Sequence, residues 1–202
     1  MIAIVDYDAG NLKSVEKALI YIGENPVVTS DADTILNADK VILPGVGAFG
    51  DAMEKLHARG LVDVLKKVAA KGTPLLGICL GMQLLFDSSE EAASDVSGLS
   101  ILPGKICHFP ENTDLKIPHM GWNSLEFPKE SPLFAGIEKG SYVYFVHSYY
   151  LKADKESDVA ATTEYITHVH AAVARDNIYG CQFHPEKSGE VGLKILKNFV
   201  EL

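Results

Sequence analysis

A cysteine flanked by glycines constrains the fold of this chain more than any other stretch. The apolar run that begins at Leu75 ends in the pattern Gly77-x-Cys79-x-Gly81, and a helical pattern follows it. This order is typical of a nucleophile elbow, in which a strand turns sharply into a helix and holds the nucleophile at the turn. The glycines let the backbone pack around the strained cysteine, and the helix start favours the reactive thiolate. The alternative interpretation is a small buried cysteine at a strand end.

The first half of the chain alternates between short apolar runs and helical patterns. Strands are predicted at residues 2–5, 26–29, 41–43 and 75–79, and helices are predicted between them. The strand runs are apolar throughout rather than alternating, which indicates a parallel sheet covered by helices on both faces. The pattern therefore predicts a doubly wound α/β fold.

The second half contains a series of short strand patterns. After an exposed loop at residues 88–97, strands are predicted at 101–109, 122–127, 142–151, 159–163, 168–174 and 178–183. Such a succession indicates antiparallel additions to the mostly parallel sheet. The last helix covers residues 191–200, with Leu193, Leu196 and Val200 facing inward. Because no long linker interrupts the series, we expect a single domain over residues 1–202.

Composition limits the class of protein. The 202 residues are 47% hydrophobic, enough for a sizeable core, and the net charge of −9 argues against nucleic acid as a partner. Three cysteines do not suggest a disulfide framework, which favours a reducing compartment. The N-terminus lacks a signal-peptide pattern, and no apolar run approaches the roughly 18 residues that a membrane span needs. We therefore expect a cytoplasmic protein with no membrane partner.

A thiolate nucleophile needs a base and a group that orients the base. His184 and Glu186 follow the strand pattern at residues 178–183, and a carboxylate two residues from an imidazole can reach its far nitrogen on one turn. Because sites in doubly wound sheets form at the carboxyl ends of strands, His184 is expected on the same edge as Cys79. A polar turn after a strand is the alternative interpretation.

Acyl transfer also needs backbone N–H donors for the developing oxyanion. Leu80 directly follows the cysteine, and the glycine-rich loop Gly45-Val46-Gly47 follows a neighbouring strand, so both are candidates. An ordinary strand-to-helix turn would also contain glycine. The loop lacks the Gly-Lys-Ser/Thr signature of a phosphate-binding loop.

A metal site is the other chemistry considered. His168 and His170 lie on one face of a predicted strand, and Cys181 lies three residues before His184. These spacings do not complete a closed ligand set, and Glu186 gives His184 a different partner. We therefore expect no metal and no cofactor.

The two motifs around Cys79 and His184 closely resemble those of the class I, or triad, glutamine amidotransferases. Within that family, four segments are similar to the glutaminase subunits of imidazole glycerol phosphate synthase: residues 44–49, 118–123, 145–149 and 183–188. The resemblance covers nearly the whole chain and implies a flavodoxin-like fold, glutamine as the substrate and no cofactor.

The resemblance also implies a role for each matching residue. Cys79 would attack the glutamine carboxamide, His184 would transfer protons and Glu186 would orient His184. The oxyanion contacts would come from Val46, Gly47 and Leu80. Glutamine would be bound by Gly45, Gln83, His147, Ser148 and Tyr149. The partner interface would include Asn11, Trp122 and Lys187, although each of these would also suit an ordinary surface or packing position.

The implied partner is a cyclase subunit with a (β/α)8 barrel, in a heterodimer. Free ammonia protonates in water, so a sealed path to the cyclase would be needed to make imidazole glycerol phosphate and aminoimidazole carboxamide ribotide in histidine biosynthesis. A paralogous glutaminase that supplies an aminosugar-modifying synthetase could carry nearly identical motifs. Two further alternatives are a catalytically silent regulatory subunit and a cysteine hydrolase acting on peptides or esters.

Overall fold

The computed structural model describes residues 1–111 and 114–202. Within these residues the strands are β1 (Ile2–Val5), β2 (Pro26–Thr29), β3 (Lys40–Gly45), β4 (Leu75–Cys79), β5 (Ser88–Ser89), β6 (Gly104–His108), β7 (His119–Ser124), β8 (Tyr142–His147), β9 (Tyr149–Ala153), β10 (Val159–Tyr165), β11 (Thr167–Arg175) and β12 (Ile178–Cys181). The α-helices are α1 (Leu12–Tyr21), α2 (Ala32–Leu36), α3 (Phe49–Ala58), α4 (Leu61–Lys71), α5 (Leu80–Gln83) and α6 (Gly189–Val200). Short 3-10 helices cover Pro132–Phe134, Glu156–Asp158 and Pro185–Lys187.

A seven-stranded sheet forms the centre of the fold, with the strand order β10-β11-β12-β4-β3-β1-β2. The five strands from β12 to β2 are parallel to their neighbours, whereas β11 pairs antiparallel with both β12 and β10. The predicted fold class is therefore confirmed: an α/β protein whose mostly parallel sheet has antiparallel additions from the second half of the chain.

Both faces of this sheet are buried. Successive side chains of a strand point to opposite faces, and β1 accordingly sends Ile2 and Ile4 to one core and Ala3 and Val5 to the other. The first core includes residues of α1 and α6, and the second includes residues of α2, α3 and α4. Burial on both faces explains why these strands read as continuous apolar runs.

The second half departs from the predicted elements in several places. The predicted strand 142–151 is two strands, because β8 pairs with β7 while β9 pairs with β6, and the chain changes partners at Ser148. These pairs form two small separate sheets rather than extending the main one. The loop predicted at 88–97 contains β5, which pairs with β6, and its Ser89 is buried.

The last helix packs its predicted face against the core, and this face is wider than the three predicted residues. Ile195, Leu196 and Phe199 are fully buried, whereas Leu193 and Val200 lie partly buried at the margins of the same core. Among the described residues, no helix is long and apolar enough to cross a membrane.

Candidate active site

Cys79 lies at the carboxyl end of β4 in a strained conformation. Its φ of 53° and ψ of −112° are unfavourable for a residue with a side chain. A Cβ on Gly77 would lie 2.6 Å from the Gly81 carbonyl oxygen, and one on Gly81 would lie 1.8 Å from the Leu43 carbonyl oxygen. Both glycines are therefore required for the turn. The helix that follows, α5, is one turn of four residues, shorter than the predicted helical pattern suggested.

His184 and Glu186 are held together just beyond β12. The His184 N–H donates to the Tyr144 carbonyl at 2.9 Å, and Ser188 Oγ donates to the His184 carbonyl at 2.6 Å. His184 Nδ1 lies 2.8 Å from Glu186 Oε1, and both side chains are almost fully buried. This contact assigns the proton to Nδ1 in the neutral ring and leaves Nε2 for chemistry.

Cys79 neighbours the His184 ring. Nε2 is buried and has no hydrogen-bond partner within the described part of the chain. Burial opposes the charged ring, but the neighbouring Cys79 sulfur and the Glu186 carboxylate outweigh it and raise the pKa of His184 to about 9. At neutral pH the site therefore favours the imidazolium form of His184.

A pocket of about 320 Å³ opens above these groups. It brings together most of the residues predicted for the site, although the elements that carry them are far apart in sequence. The lining comprises Val46, Gly47, Cys79, Leu80, Gln83, Glu91, Pro118, Val146, His147, Ser148, Tyr149 and His184. The size and the mixed polar lining suit a small polar molecule rather than a polymer.

The loop after β3 forms one wall of the pocket. Gly45 pairs with Cys79 in the sheet register, which carries Val46 and Gly47 past Cys79. Gly47 has a φ of +100°, a conformation that favours glycine, and no atom lies within 4 Å of where its Cβ would be. Leu80 begins α5, so its N–H has no acceptor within the helix.

Gly45 was predicted to contact the substrate, but it lies behind the loop rather than in the pocket lining. It is buried and does not line the pocket. A Cβ there would lie 2.7 Å from the Gly81 nitrogen and 2.7 Å from the Tyr7 hydroxyl. Tyr7 donates to the Pro44 carbonyl at 2.9 Å, and burial raises the pKa of its hydroxyl. Gly45 thus allows close packing behind the loop, which Tyr7 anchors.

Two polar residues of the site were not predicted from the sequence. Glu91 lines the pocket, and its carboxylate accepts from the Phe49 N–H at 2.8 Å. Gln182 is fully buried and contacts both Cys79 and Gln83. Glu91 lies in the stretch predicted to be an exposed loop, and no pattern marks it. Gln182 lies two residues before His184, and that proximity is the one available signal.

A pair of neutral histidines supports another part of the pocket wall. His147 Nδ1 lies 2.8 Å from the Tyr149 carbonyl, and its Nε2 lies 3.0 Å from His119 Nδ1. His119 Nε2 is in turn 3.3 Å from Asn123 Nδ2. Burial lowers the pKa of His119 to about 4 and that of His147 to about 3. Each neutral ring donates from one nitrogen and accepts at the other. The hydrogen bonds therefore run in one direction, from Asn123 through His119 and His147 to the Tyr149 carbonyl.

The three predicted interface residues lie outside the pocket but on adjacent elements. Asn11 precedes α1, which contacts the 3-10 helix that carries Lys187. That 3-10 helix contacts β8, whose pairing partner β7 carries Trp122. Trp122 is 55% exposed, which is unusual for a tryptophan. These elements are therefore neighbours in the fold.

His168 and His170, the candidate zinc ligands, each contact another protein group. His168 contacts the Glu164 carboxylate, and His170 Nδ1 accepts from the Ala153 N–H at 3.2 Å. Cys181 is fully buried, and burial raises the pKa of its thiol. Across residues 1–111 and 114–202, no three histidine, cysteine or acidic side chains form a group that could hold a metal ion.

Relatives of known name match the chain over nearly its whole length. The imidazole glycerol phosphate synthase subunit HisH of Caldanaerobacter subterraneus subsp. tengcongensis is 52% identical over 202 residues, which are 100% of this chain and 98% of that protein. The subunit of the same name from Bacillus cereus strain G9842 is 56% identical over 199 residues, covering 98% of this chain and 93% of that protein.

Solved structures agree at the level of the fold. A crystal structure of a glutamine amidotransferase superimposes with a TM-score of 0.77 at 17% identity, covering 100% of this chain and 98% of the other. PurLQS from Thermotoga maritima gives a TM-score of 0.75 at 19% identity, covering 99% and 97%. The family model described as glutamine amidotransferase class-I matches residues 3–202. This chain therefore belongs to the class-I glutamine amidotransferase family.

Proposed function

We propose that this chain is the glutaminase subunit of an imidazole glycerol phosphate synthase. In this proposal it hydrolyses glutamine to glutamate and passes the ammonia to a cyclase partner in histidine biosynthesis. The observation that carries the proposal is the buried His184–Glu186 pair at the pocket that holds the strained Cys79. The two relatives at 52% and 56% identity support the choice of pathway.

In the first half of the reaction, Cys79 Sγ attacks the carboxamide carbon of glutamine and forms a tetrahedral intermediate. The Leu80 N–H and the backbone at Val46 and Gly47 stabilise the oxyanion. The C–N bond then breaks, and His184 Nε2 gives its proton to the departing amine, so the leaving group is neutral ammonia. A thioester to Cys79 remains.

In the second half, His184 is the base. Its neutral Nε2 takes a proton from water, and the resulting hydroxide equivalent attacks the thioester carbon. The C–S bond breaks, glutamate leaves and the thiolate is restored. Glu186 holds Nδ1 throughout, so the same nitrogen faces the reaction in both halves.

Charge in the pocket supports an amino acid substrate. Glu91 places a carboxylate in the lining, which suits the α-ammonium group of glutamine. The segment His147-Ser148-Tyr149 and Gln83 line another part of the pocket wall. Gln83 Nε2 donates to the Tyr149 carbonyl at 3.1 Å and so fixes the shape of that wall.

An exposed apolar face supports a protein partner. Met120 and Trp122 point outward from β7, and Tyr142 does so from the paired strand β8; these side chains are 62%, 55% and 59% exposed. Val46 of the oxyanion loop is 44% exposed. Large apolar side chains gathered beside a pocket are typical of a protein interface. We infer that the barrel-shaped cyclase covers this face, with Asn11 and Lys187 at its margin.

Glutamine recognition can be tested by comparing Glu91→Gln with Glu90→Gln in the complex with the cyclase. The first change removes the pocket carboxylate, and the second removes a surface ion pair with Lys105 at the neighbouring position. We expect Glu91→Gln to raise the KM for glutamine about 10- to 100-fold, as for one charge-assisted hydrogen bond. Glu90→Gln should leave the KM unchanged. Equal KM values for both variants would contradict this assignment.

The pathway can be tested by purifying the chain with candidate partners. Co-purification with a barrel cyclase, and glutamine-dependent formation of imidazole glycerol phosphate, would support the proposal. Stable association with an aminosugar-modifying synthetase, without cyclase binding, would support the paralogous glutaminase and contradict the histidine pathway.

A further inference from the structure

Gln182 is a buried polar residue that the mechanism above does not use. It follows β12 directly, and its side chain is completely buried beside the elbow. Its Nε2 lies 3.8 Å from Cys79 Sγ, and its Oε1 lies 3.0 Å from Gln83 Nε2. A buried amide must satisfy both of its ends, and here one end contacts the reacting atom.

The orientation of this amide follows from its neighbours. The Tyr149 carbonyl can only accept, and it lies 3.1 Å from Gln83, so the nitrogen of Gln83 faces that carbonyl. The same nitrogen faces Gln182, which must therefore present its oxygen to Gln83. The Nε2 of Gln182 is thus directed at the sulfur of Cys79.

The Cys79 sulfur lies near two groups, one of which favours the thiol and the other the thiolate. The Val146 carbonyl is 3.9 Å from Cys79 Sγ and suits the protonated thiol as an acceptor. The Gln182 amide suits the thiolate, because a hydrogen bond to an ionised acceptor is stronger than one to a neutral acceptor. Helix α5 has four residues and aligns few peptide dipoles, so local donors carry more of the stabilisation of negative charge.

We propose that Gln182 is a further catalytic residue, whose amide donates to the Cys79 sulfur and holds it as the thiolate while Gln83 fixes the direction of the amide. The inference rests on the proposed role of Cys79 as the nucleophile. When the thiol proton passes to His184, the Gln182 N–H remains to compensate the charge on sulfur. After the thioester forms, the same N–H keeps the sulfur in place as the future leaving group.

The test is the rate at which iodoacetamide alkylates Cys79 between pH 5 and pH 9, measured by mass spectrometry of the separate cysteine peptides. Gln182→Met keeps the length of the side chain and removes the donor. We expect alkylation at neutral pH to slow about tenfold, with the half-maximal rate shifted to higher pH. Gln182→Glu places an oxygen against the sulfur and should slow alkylation further.

The chain supplies its own controls. Cys107 is half-buried and remote in sequence from the elbow, so its alkylation rate should not change. Cys181 is fully buried, so iodoacetamide should reach it only in an unfolded chain. A variant whose Cys181 stays unmodified is therefore folded, and only folded variants are compared. Asn198→Asp makes the same amide-to-acid change at a buried position in α6 and should leave Cys79 unaffected.

Unchanged alkylation of Cys79 in a folded Gln182 variant would overturn the inference. Because iodoacetamide does not require glutamine recognition, this result is independent of the proposed function. If glutamine hydrolysis continued while alkylation was unchanged, the role of Gln182 would fail and the proposed function would stand. If alkylation slowed as expected in a chain that never hydrolysed glutamine, the proposed function would fail and the thiolate contact would stand.

Discussion

At the scale of single residues, His184 shows how partners decide the protonation state of a buried group. Burial alone would favour the neutral imidazole, because the charged ring loses its hydration. The Glu186 carboxylate at 2.8 Å and the neighbouring Cys79 sulfur reverse that preference. Since the ring is charged at neutral pH, it can act as an acid first, and it becomes a base after giving up its proton.

The proposed role of His184 predicts how the acylation rate depends on pH. The pKa of His184 is raised to about 9, so the imidazolium is present below that pH and disappears above it. The acylation rate should therefore fall as the pH rises through about 9. Glu186→Gln removes the carboxylate that helps to raise the pKa, so the fall should move to lower pH. Single-turnover rates with glutamine, measured across this pH range, report the fall. A fall at the same pH in Glu186→Gln and in the wild type would contradict the role of Glu186.

The two partners should also differ in the size of their effects. We expect His184→Ala to lower kcat by about 10⁴ and Glu186→Gln by about 10², because the second change leaves the base in place. Steady-state glutamate release in the cyclase complex measures both values. A larger loss in Glu186→Gln than in His184→Ala would contradict the assigned roles.

At the scale of elements, the loop after β3 depends on the backbone conformation of Gly47. Its φ is +100°, while the space around the missing Cβ is open, so Gly47→Ala should strain the loop without a clash. We expect kcat to fall about tenfold or more as the oxyanion donors move. Gly72, at the end of α4, has a φ of +84° and equally open surroundings. Gly72→Ala should therefore lower stability by about 1 kcal/mol and leave kcat unchanged. Equal kcat losses in the two variants would indicate general strain.

The β7–β8 pair makes stability depend on pH through His147. Burial lowers its folded pKa to about 3, whereas an unfolded histidine titrates near 6.5. The unfolded chain therefore binds more protons between these values, and stability is lost as the pH falls below about 6.5. His147 should account for a loss on the order of 2 kcal/mol at pH 5 relative to pH 7. Urea unfolding of wild type and His147→Gln measures the difference, and equal losses in both would contradict it.

Strand periodicity allowed much of this arrangement to be predicted. The apolar runs of β1, β3 and β4 are buried on both faces of the main sheet, which placed the loop at Gly47 beside Cys79. Periodicity does not report which strand pairs with which. The sequence therefore predicted that the later strands extend the main sheet, although β7 and β8 form a separate two-stranded sheet. No sequence pattern marked Glu91, because its place in the pocket lining depends on how a polar loop folds.

At the scale of the whole molecule, the exposed face of β7 and β8 predicts how the chain binds its partner. Trp122 contacts Tyr144 edge-on and is otherwise largely exposed. Trp122→Ala should weaken cyclase binding about 10- to 100-fold, as for a central interface tryptophan. Tyr21, at the far end of α1, is 77% exposed, and Tyr21→Ala serves as the control with no expected change. Titration calorimetry measures both, and equal affinities would contradict the proposed interface.

In the proposed function, Cys79 releases ammonia from glutamine and another subunit consumes it. The most direct measurement compares synthesis by the reconstituted complex when glutamine or ammonium salt supplies the nitrogen, in Cys79→Ala and in the control Cys107→Ala. We predict that Cys79→Ala abolishes glutamine-dependent synthesis and retains ammonia-dependent synthesis, while Cys107→Ala retains both. Loss of both activities in Cys79→Ala, or persistence of glutamine-dependent synthesis, would contradict the proposed function.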